Sequence, residues 1–352
     1  MKTKKIIAST CCSKRSATTL AEKGAISRRF GMMTGKRLSA SVILLLFVFI
    51  IASSCPVWAQ SPSRLDLDPR RVLWSELSFG AQGTMVDVAI DIRLAPFPSA
   101  EFEAIWRTFP QAIPLPSLGQ DVYNLEVNRV IDYIFSPAVR LWNQVLFNAN
   151  QAQSLYRVRL RRGKDDIERA YWFSGEGVHR LRRIPKTKSE SSLDPAKWTD
   201  VSTSFYPYHV TPLACPQVVD PVLIIYLVST APLNQEGEVL TLCVFGKQQL
   251  HQVRLGYPRM ENLEVDYTVN SGEGRVHKKG RVNGLKITVE SEPMVSDKKD
   301  AENFSFLGMQ DDIAIHIDPQ LRIPLQVSGK IPTVGKVTLK LREVKMQERP
   351  SR

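Results

Sequence analysis

Leu263-Glu264-Val265-Asp266-Tyr267-Thr268-Val269 alternates apolar and polar side chains without a break. Successive side chains of a strand point to opposite faces, so Leu263, Val265, Tyr267 and Val269 share one side and the polar residues the other. The same period returns at Leu285, Ile287 and Val289, at Ile313, Ile315 and Ile317, at Ile323, Leu325 and Val327, and at Val337, Leu339 and Leu341. One apolar face per strand implies an antiparallel sheet half buried against a core. Turn-forming residues separate the runs: Asn270 to Gly274, Asn283-Gly284, Gly308 and Gly335.

Upstream, Thr84 to Leu94 reads as a further strand, and residues 155–173 as a hairpin. In that hairpin Tyr156, Val158 and Leu160 alternate with Arg157, Arg159 and Arg161. Three segments carry helix starts: Ser99 before Phe102, Ile105, Trp106 and Phe109; Ser136-Pro137; and Asp220-Pro221, which opens an apolar stretch to Val228. The expected fold is mainly β, a curved or partly closed antiparallel sheet packed on two or three short helices. Residues 60–185 and 201–346 form its amino- and carboxy-terminal parts. The polar stretch 186–200 is a loop or linker, 291–302 is a second polar break, and 347–352 is a tail.

Val42 to Ala52 is an uninterrupted apolar run behind Lys36 and Arg37, followed by Val57-Trp58-Ala59. A basic flank, a short apolar core and small residues before a cut describe a secretory signal peptide, with cleavage between Ala59 and Gln60. Eleven apolar residues fall well short of the roughly 20 that span a bilayer. The flank before Met32 is long, which fits a start codon placed too early. Ser27-Arg28-Arg29-Phe30 partly matches a twin-arginine signal, and Cys55 offers a weaker alternative as a lipid-anchor site. The expected destination is the periplasm or the exterior.

The leader also explains the charge. The chain carries 47 basic and 35 acidic residues, a net of +12. Residues 1–59 hold 10 of the basic and one of the acidic residues, which leaves 37 against 34, a net of +3. Long-range attraction to polyanions is then weak for the molecule as a whole, and export argues against a nucleic-acid partner. Two cysteines remain after cleavage, Cys215 and Cys243. An oxidising compartment permits a bond between them, and two buried thiols are the other reading.

The search for chemistry yields little. There is no Gly-x-Ser-x-Gly elbow and no phosphate-cradling loop. His179, His209, His251, His277 and His316 lie far apart, without metal-ligand spacing, so no metal or cofactor is expected. His316 falls on the polar side of its strand and reads as exposed; Asp311-Asp312 reads as a turn. Arg157, Arg159 and Arg161 share a strand face, with Arg169, Arg180, Arg182 and Arg183 close in sequence. Paired strands would gather Arg157, Arg159, Arg161, Arg180 and Arg182 into a patch able to meet phosphates or carboxylates. A solvated outer face balanced by Asp165, Asp166, Glu168 and Glu176 accounts for them more simply. Tyr171-Trp172-Phe173 reads as core packing.

From Val218 to Val344 the order of features resembles an uncharacterised family of exported bacterial proteins, domain of unknown function 3108. The matching residues are Val219-Asp220-Pro221, Val239 to Phe245, Asp311-Asp312, Leu321 to Leu325 and Gly335 to Leu341. Leu77 to Gly80 and Gly83 to Ile90 match that family's opening hairpin. The resemblance implies a β-rich exported domain and carries no catalytic residues. The expected role is that of a non-enzymatic ligand-binding or scaffold protein of the envelope, whose partner is a lipid, a glycan or another protein. The alternative is an envelope hydrolase using carboxylates that only the fold assembles.

Overall fold

The alternating segments become one sheet in the computed structural model, which describes residues 64–348 apart from 83–85, 117–120, 135, 164, 212, 296–303 and 333. The leader, the Ala59–Gln60 cleavage site and Cys55 lie outside the described residues. The first eight strands are β1 (Trp74–Gln82), β2 (Val86–Pro96), β3 (Val122–Tyr133), β4 (Ser136–Asn148), β5 (Gln153–Arg162), β6 (Ile167–Phe173), β7 (Gly177–Ile184) and β8 (Asp200–Pro207). They pair in chain order as an antiparallel meander. The remaining strands are β9 (Val218–Val219), β10 (Val239–Phe245), β11 (Leu250–Ser271), β12 (Gly274–Pro293), β13 (Asp311–Ile317), β14 (Pro324–Ile331) and β15 (Gly335–Met346).

The two halves join where β1 pairs β15, so the spatial order runs from β8 back to β1, then from β15 back to β9. Two short pairings are parallel: β9 with β10, and β11 with β15 through Thr268–Glu343, Val269–Val344 and Asn270–Lys345. The second closes β11 to β15 into a five-strand circuit. The fold is thus mainly β, a curved and partly closed sheet, as its period-two patterning requires.

The described residues hold three short α-helices: α1 (Ser99–Trp106), α2 (Lys188–Ser191), which has no buried residue, and α3 (Ile224–Thr230). Phe102 and Trp106 of α1, with Phe109, cover one face of β4 to β7 at Leu146, Tyr156, Val158, Ala170 and Trp172. Helix α3 is buried on all sides and belongs to the main core with Ile90, Leu125, Val145, Ile287 and Ile315. It starts from a 3-10 turn, Pro221–Leu223, which Asp220 caps by accepting the Val222 N–H at 2.9 Å. It ends against Arg322, whose guanidinium donates to the carbonyls of Val228, Ala231 and Leu233 and to Asn234 Oδ1 at 2.6–3.0 Å. A cation there satisfies carbonyls that the helix leaves unpaired and complements its dipole.

Some expectations need correction. Ser136-Pro137 opens β4 and not a helix. The end of β4 from Val145 to Asn148 is buried on both faces, Leu146 under α1 and Val145 and Phe147 on the core, so the period-two signal that a half-wet strand would give is lost there. Asn283-Gly284 is no turn: it lies inside β12, with Gly284 opposite Glu261. A Cβ there would stand 2.6 Å from Leu263 Cδ1, so the glycine admits a neighbouring side chain. Asp311-Asp312 begins β13 at a register shift, with Asp312 at φ 52° and paired to Lys330. His316 is only 4% exposed. The stretch 186–199 is a loop, as read from the sequence: it joins the paired strands β7 and β8, is mostly exposed and is anchored by buried Trp198.

Candidate functional site

The cross-strand register decides where the arginines point. Leu125 faces Val145, Val145 faces Arg157, Arg157 faces Tyr171 and Tyr171 faces Arg180. One rung along, Val127 faces Asn143, Asn143 faces Arg159, Arg159 faces Arg169 and Arg169 faces Arg182. Leu125, Val127 and Val145 belong to the main core. The arginines therefore continue the inner face of the sheet, while the opposite face lies under α1. The arginine face is solvated only in part: Arg157 is buried, Arg161, Arg169 and Arg180 are half-buried, and Arg159 is exposed. Of the expected counter-charges Asp165 does pair Arg161 of this face, whereas Asp166 pairs Arg162 and Glu168 pairs Arg183 on the α1 side.

A cavity of about 390 Å³ lies over this inner face. Arg129, Arg157, Arg159, Arg161, Arg169 and Arg180 line it, together with Asn143 and Tyr171. The facing wall comes from Asp220 to Val222, Lys247-Gln248 and the Ser305–Gly308 turn. Arg182 shares the sheet face through its pairing with Arg169 but is not among the lining residues. Of the lining groups, Asp220 is the one carboxylate, against six guanidinium groups and Lys247.

Arg157 sits at the floor. Its side chain and that of Asp220 are each 1% exposed, and Nη1 donates to Asp220 Oδ2 at 2.5 Å. The guanidinium lies 3.9 Å from the centroid of the Tyr171 ring, a cation–π contact that fixes its plane. Its Nε and Nη2 find no hydrogen-bond partner among the described residues. Buried donors of this kind are rare, since an unmade hydrogen bond costs about 1–3 kcal/mol and more for a charged group. Asp220 is held in turn by the Val222 N–H, and its own N–H donates to Ser154 Oγ at 2.7 Å.

The upper rungs are less anchored. Arg159 and Arg169 stand directly opposite each other, and neither has an ion pair or hydrogen bond to a described residue. Like charges in that relation are destabilising. Arg159 is exposed, yet partial desolvation and then the neighbouring Arg157 press its pKa down. Burial lowers Arg169 too, aided by Arg161, Arg180 and Arg182. Arg129, which donates to the Leu307 carbonyl at 2.7 Å, is pulled down to about 10 by burial and by Arg159. All remain charged at neutral pH. Arg180 donates to Ser204 Oγ at 3.0 Å, and its Nε is without a partner among the described residues.

Sequence reading missed Arg129, Lys247 and the pairing of Arg157 with Asp220. The available signal was parity: Arg129 continues the apolar alternation of Leu125 and Val127. The staple beside the site is Cys215–Cys243, bonded in the structure across 28 residues with Cα atoms 5.7 Å apart. It fastens the segment before β9 to β10, at the register Cys243–Val218.

Two other places compare poorly. A cavity of about 440 Å³ within the β11–β15 circuit is lined by Glu264, Asp266, Lys279, Arg281 and Lys340 among apolar residues. Its charges pair internally, Lys279 with Asp266 and Arg281 with Glu264. His316 Nε2 meets Glu261 Oε2 at 3.0 Å, with Lys286 3.2 Å from the other carboxylate oxygen. The His316 hydrogen bond leads in holding Glu261 at about 2, and burial keeps His316 below its ordinary value. A neutral imidazole donating from Nε2 to a carboxylate satisfies both. Among the described residues no three His, Cys, Asp or Glu side chains gather as a metal site, and no helix is long and apolar enough to cross a membrane.

No family model and no curated protein matches the chain. Among solved structures it is similar to a beta-barrel-like protein of domain of unknown function 1849 from Brucella abortus, at 9% identity and a TM-score of 0.40, covering 81% of this chain and 99% of that one.

Proposed function

We propose that this chain is a non-enzymatic ligand-binding protein, exported to the periplasm or beyond, whose arginine-lined cavity takes a small anion. One observation carries the reading: a ladder of guanidinium groups on one sheet face lining a cavity, with buried, unpartnered donors on Arg157 and one carboxylate among the lining residues. An anion seated there relieves the repulsion between Arg159 and Arg169 and completes the hydrogen bonds of Arg157. A cavity of this volume falls in the range of small-molecule sites. Asp220 is engaged three ways, by Arg157, by the Val222 N–H and through its own N–H, which leaves it poorly placed as an acid or base. The leader supports export, and the turn and strand residues from Val218 to Val344 support membership of the exported family noted above.

The test is thermal unfolding of the purified protein in low salt with sulfate, citrate, orthophosphate or pyrophosphate added singly. At least one anion raises the midpoint, and Arg159→Glu removes the rise. Indifference to all four overturns the proposal. Export is checked separately by amino-terminal sequencing of the processed product, which starts at Gln60 if the leader is read correctly.

A further inference from the structure

The number of charges, their spacing and the room between them say more than that an anion binds. Resting on the anion-site reading, we infer that the ligand carries at least two phosphoryl groups, one held by Arg159 and Arg169 and the other by the buried, unpartnered edge of Arg157.

Arg159 and Arg169 are directly opposite on β5 and β6, which puts their Cβ atoms about 5 Å apart. That is close enough for two planar forks to grip one tetrahedral group from two sides. Neither fork is committed to a described residue. Arg157 lies two residues back along β5, about 6.8 Å away. Asp220 takes its Nη1, and the remaining Nε and Nη2 form one edge of the guanidinium, the edge that offers two parallel N–H bonds to a single oxyanion. Tyr171 holds the plane of that fork, so little rotamer freedom is lost when it is used. Arg180 adds an unpartnered Nε on the same rung, two strands from Arg157 and beyond Tyr171. The cavity thus presents two separate oxyanion grips one strand repeat apart.

Charge density favours phosphorus over carbon. Six guanidinium groups face one carboxylate within about 390 Å³. A phosphoryl group brings about −1.5 to −2 at neutral pH with three acceptor oxygens. Two such groups supply most of the missing charge and six acceptors in a small volume. Carboxylates of equal total charge need about twice as many groups, each with its carbon. The ligand class is a diphosphate, an oligophosphate ester or a small molecule phosphorylated at two positions; free and lipid-borne forms share this chemistry.

Isothermal titration of the purified protein at low salt separates the outcomes, with acetate, orthophosphate, citrate, pyrophosphate and tripolyphosphate as probes. Pyrophosphate and tripolyphosphate bind at least 10-fold more tightly than orthophosphate or citrate. Arg159→Gln and Arg169→Gln each weaken pyrophosphate about 10-fold or more, whereas Arg93→Gln, at an exposed residue of β2 outside the cavity that pairs Glu76, changes it less than 3-fold. Circular dichroism of each variant verifies that the sheet is intact. If citrate matches pyrophosphate, or pyrophosphate does no better than orthophosphate, the two-phosphoryl assignment is overturned and the anion site stands. If no probe binds at all, the underlying reading falls with it. A phosphate-bearing vesicle titrated alongside a soluble bisphosphate then distinguishes a lipid-borne from a free source.

Discussion

Changing Asp220 to Asn isolates the charge that balances Arg157. Asparagine keeps an Oδ1, so the cap on the Val222 N–H persists, and the backbone N–H still reaches Ser154. What changes is the group facing Arg157 Nη1: a carboxylate oxygen becomes part of an amide, and a guanidinium that is 1% exposed loses its counter-charge. Removing one partner of a buried pair costs about 3–5 kcal/mol, because the survivor stays desolvated. With a urea m-value near the upper end of the usual range, about 3 kcal/mol/M, the midpoint falls by about 1–1.7 M. The assay is urea unfolding at pH 7, followed by tryptophan fluorescence with the disulfide intact. The double variant Arg157→Met/Asp220→Asn removes both charges and recovers at least half of the loss, since a paired deletion leaves no orphan ion. Pyrophosphate narrows the gap between Asp220→Asn and the parent, because the anion supplies charge to the same guanidinium. A fall below about 0.3 M, or a double variant no better than the single, refutes the claim that this pair anchors the floor of the cavity.

Arg322→Met strips four oxygens at the end of α3 of their donor and lowers stability by about 3 kcal/mol, measured by the same unfolding assay; Arg322→Lys recovers part of it. Acid weakens the fold through His316 and Glu261, both of which have folded pKa values below their ordinary 6.5 and 4.5. Their contribution is full above pH 6.5, starts to fall as His316 takes a proton, and is lost between about 4.5 and 2 as Glu261 does. His316→Gln with Glu261→Gln flattens the midpoint-against-pH curve over that window, and an unchanged curve contradicts it. Replacing Cys215 and Cys243 by serine costs about 2–4 kcal/mol for a loop of this length, read from thermal unfolding with and without reductant.

Much of the sheet was legible because many strands have one wet face. Leu285, Ile287 and Val289 point to the core and their neighbours do not, so the alternation survives in the sequence. β4 was not legible, since Val145 and Leu146 are both buried, on opposite faces, against different neighbours. The arginine ladder was visible as residues sharing a face. That this face is the inner one depends on α1 covering Tyr156 and Val158, a tertiary fact with no local signature. His316 sits on the polar side of β13 as its parity requires, yet Glu261 and Lys286 close over it from neighbouring strands. Asp220 as the partner of Arg157 bridges 63 residues, and no spacing rule reaches that far.

The seam between β1 and β15 has a consequence for how the chain is made. Trp74 aligns with Met346, so the opening strand finds its second neighbour only when the last strand has been delivered. A polypeptide emerging in order can zip β1 to β8 by adjacent hairpins, but through that interval one border of the meander stays bare. Bare borders recruit other chains. Maturation therefore depends on the twelve residues of β15 arriving promptly, and removing β15 leaves a template for polymerisation in place of a smaller folded protein.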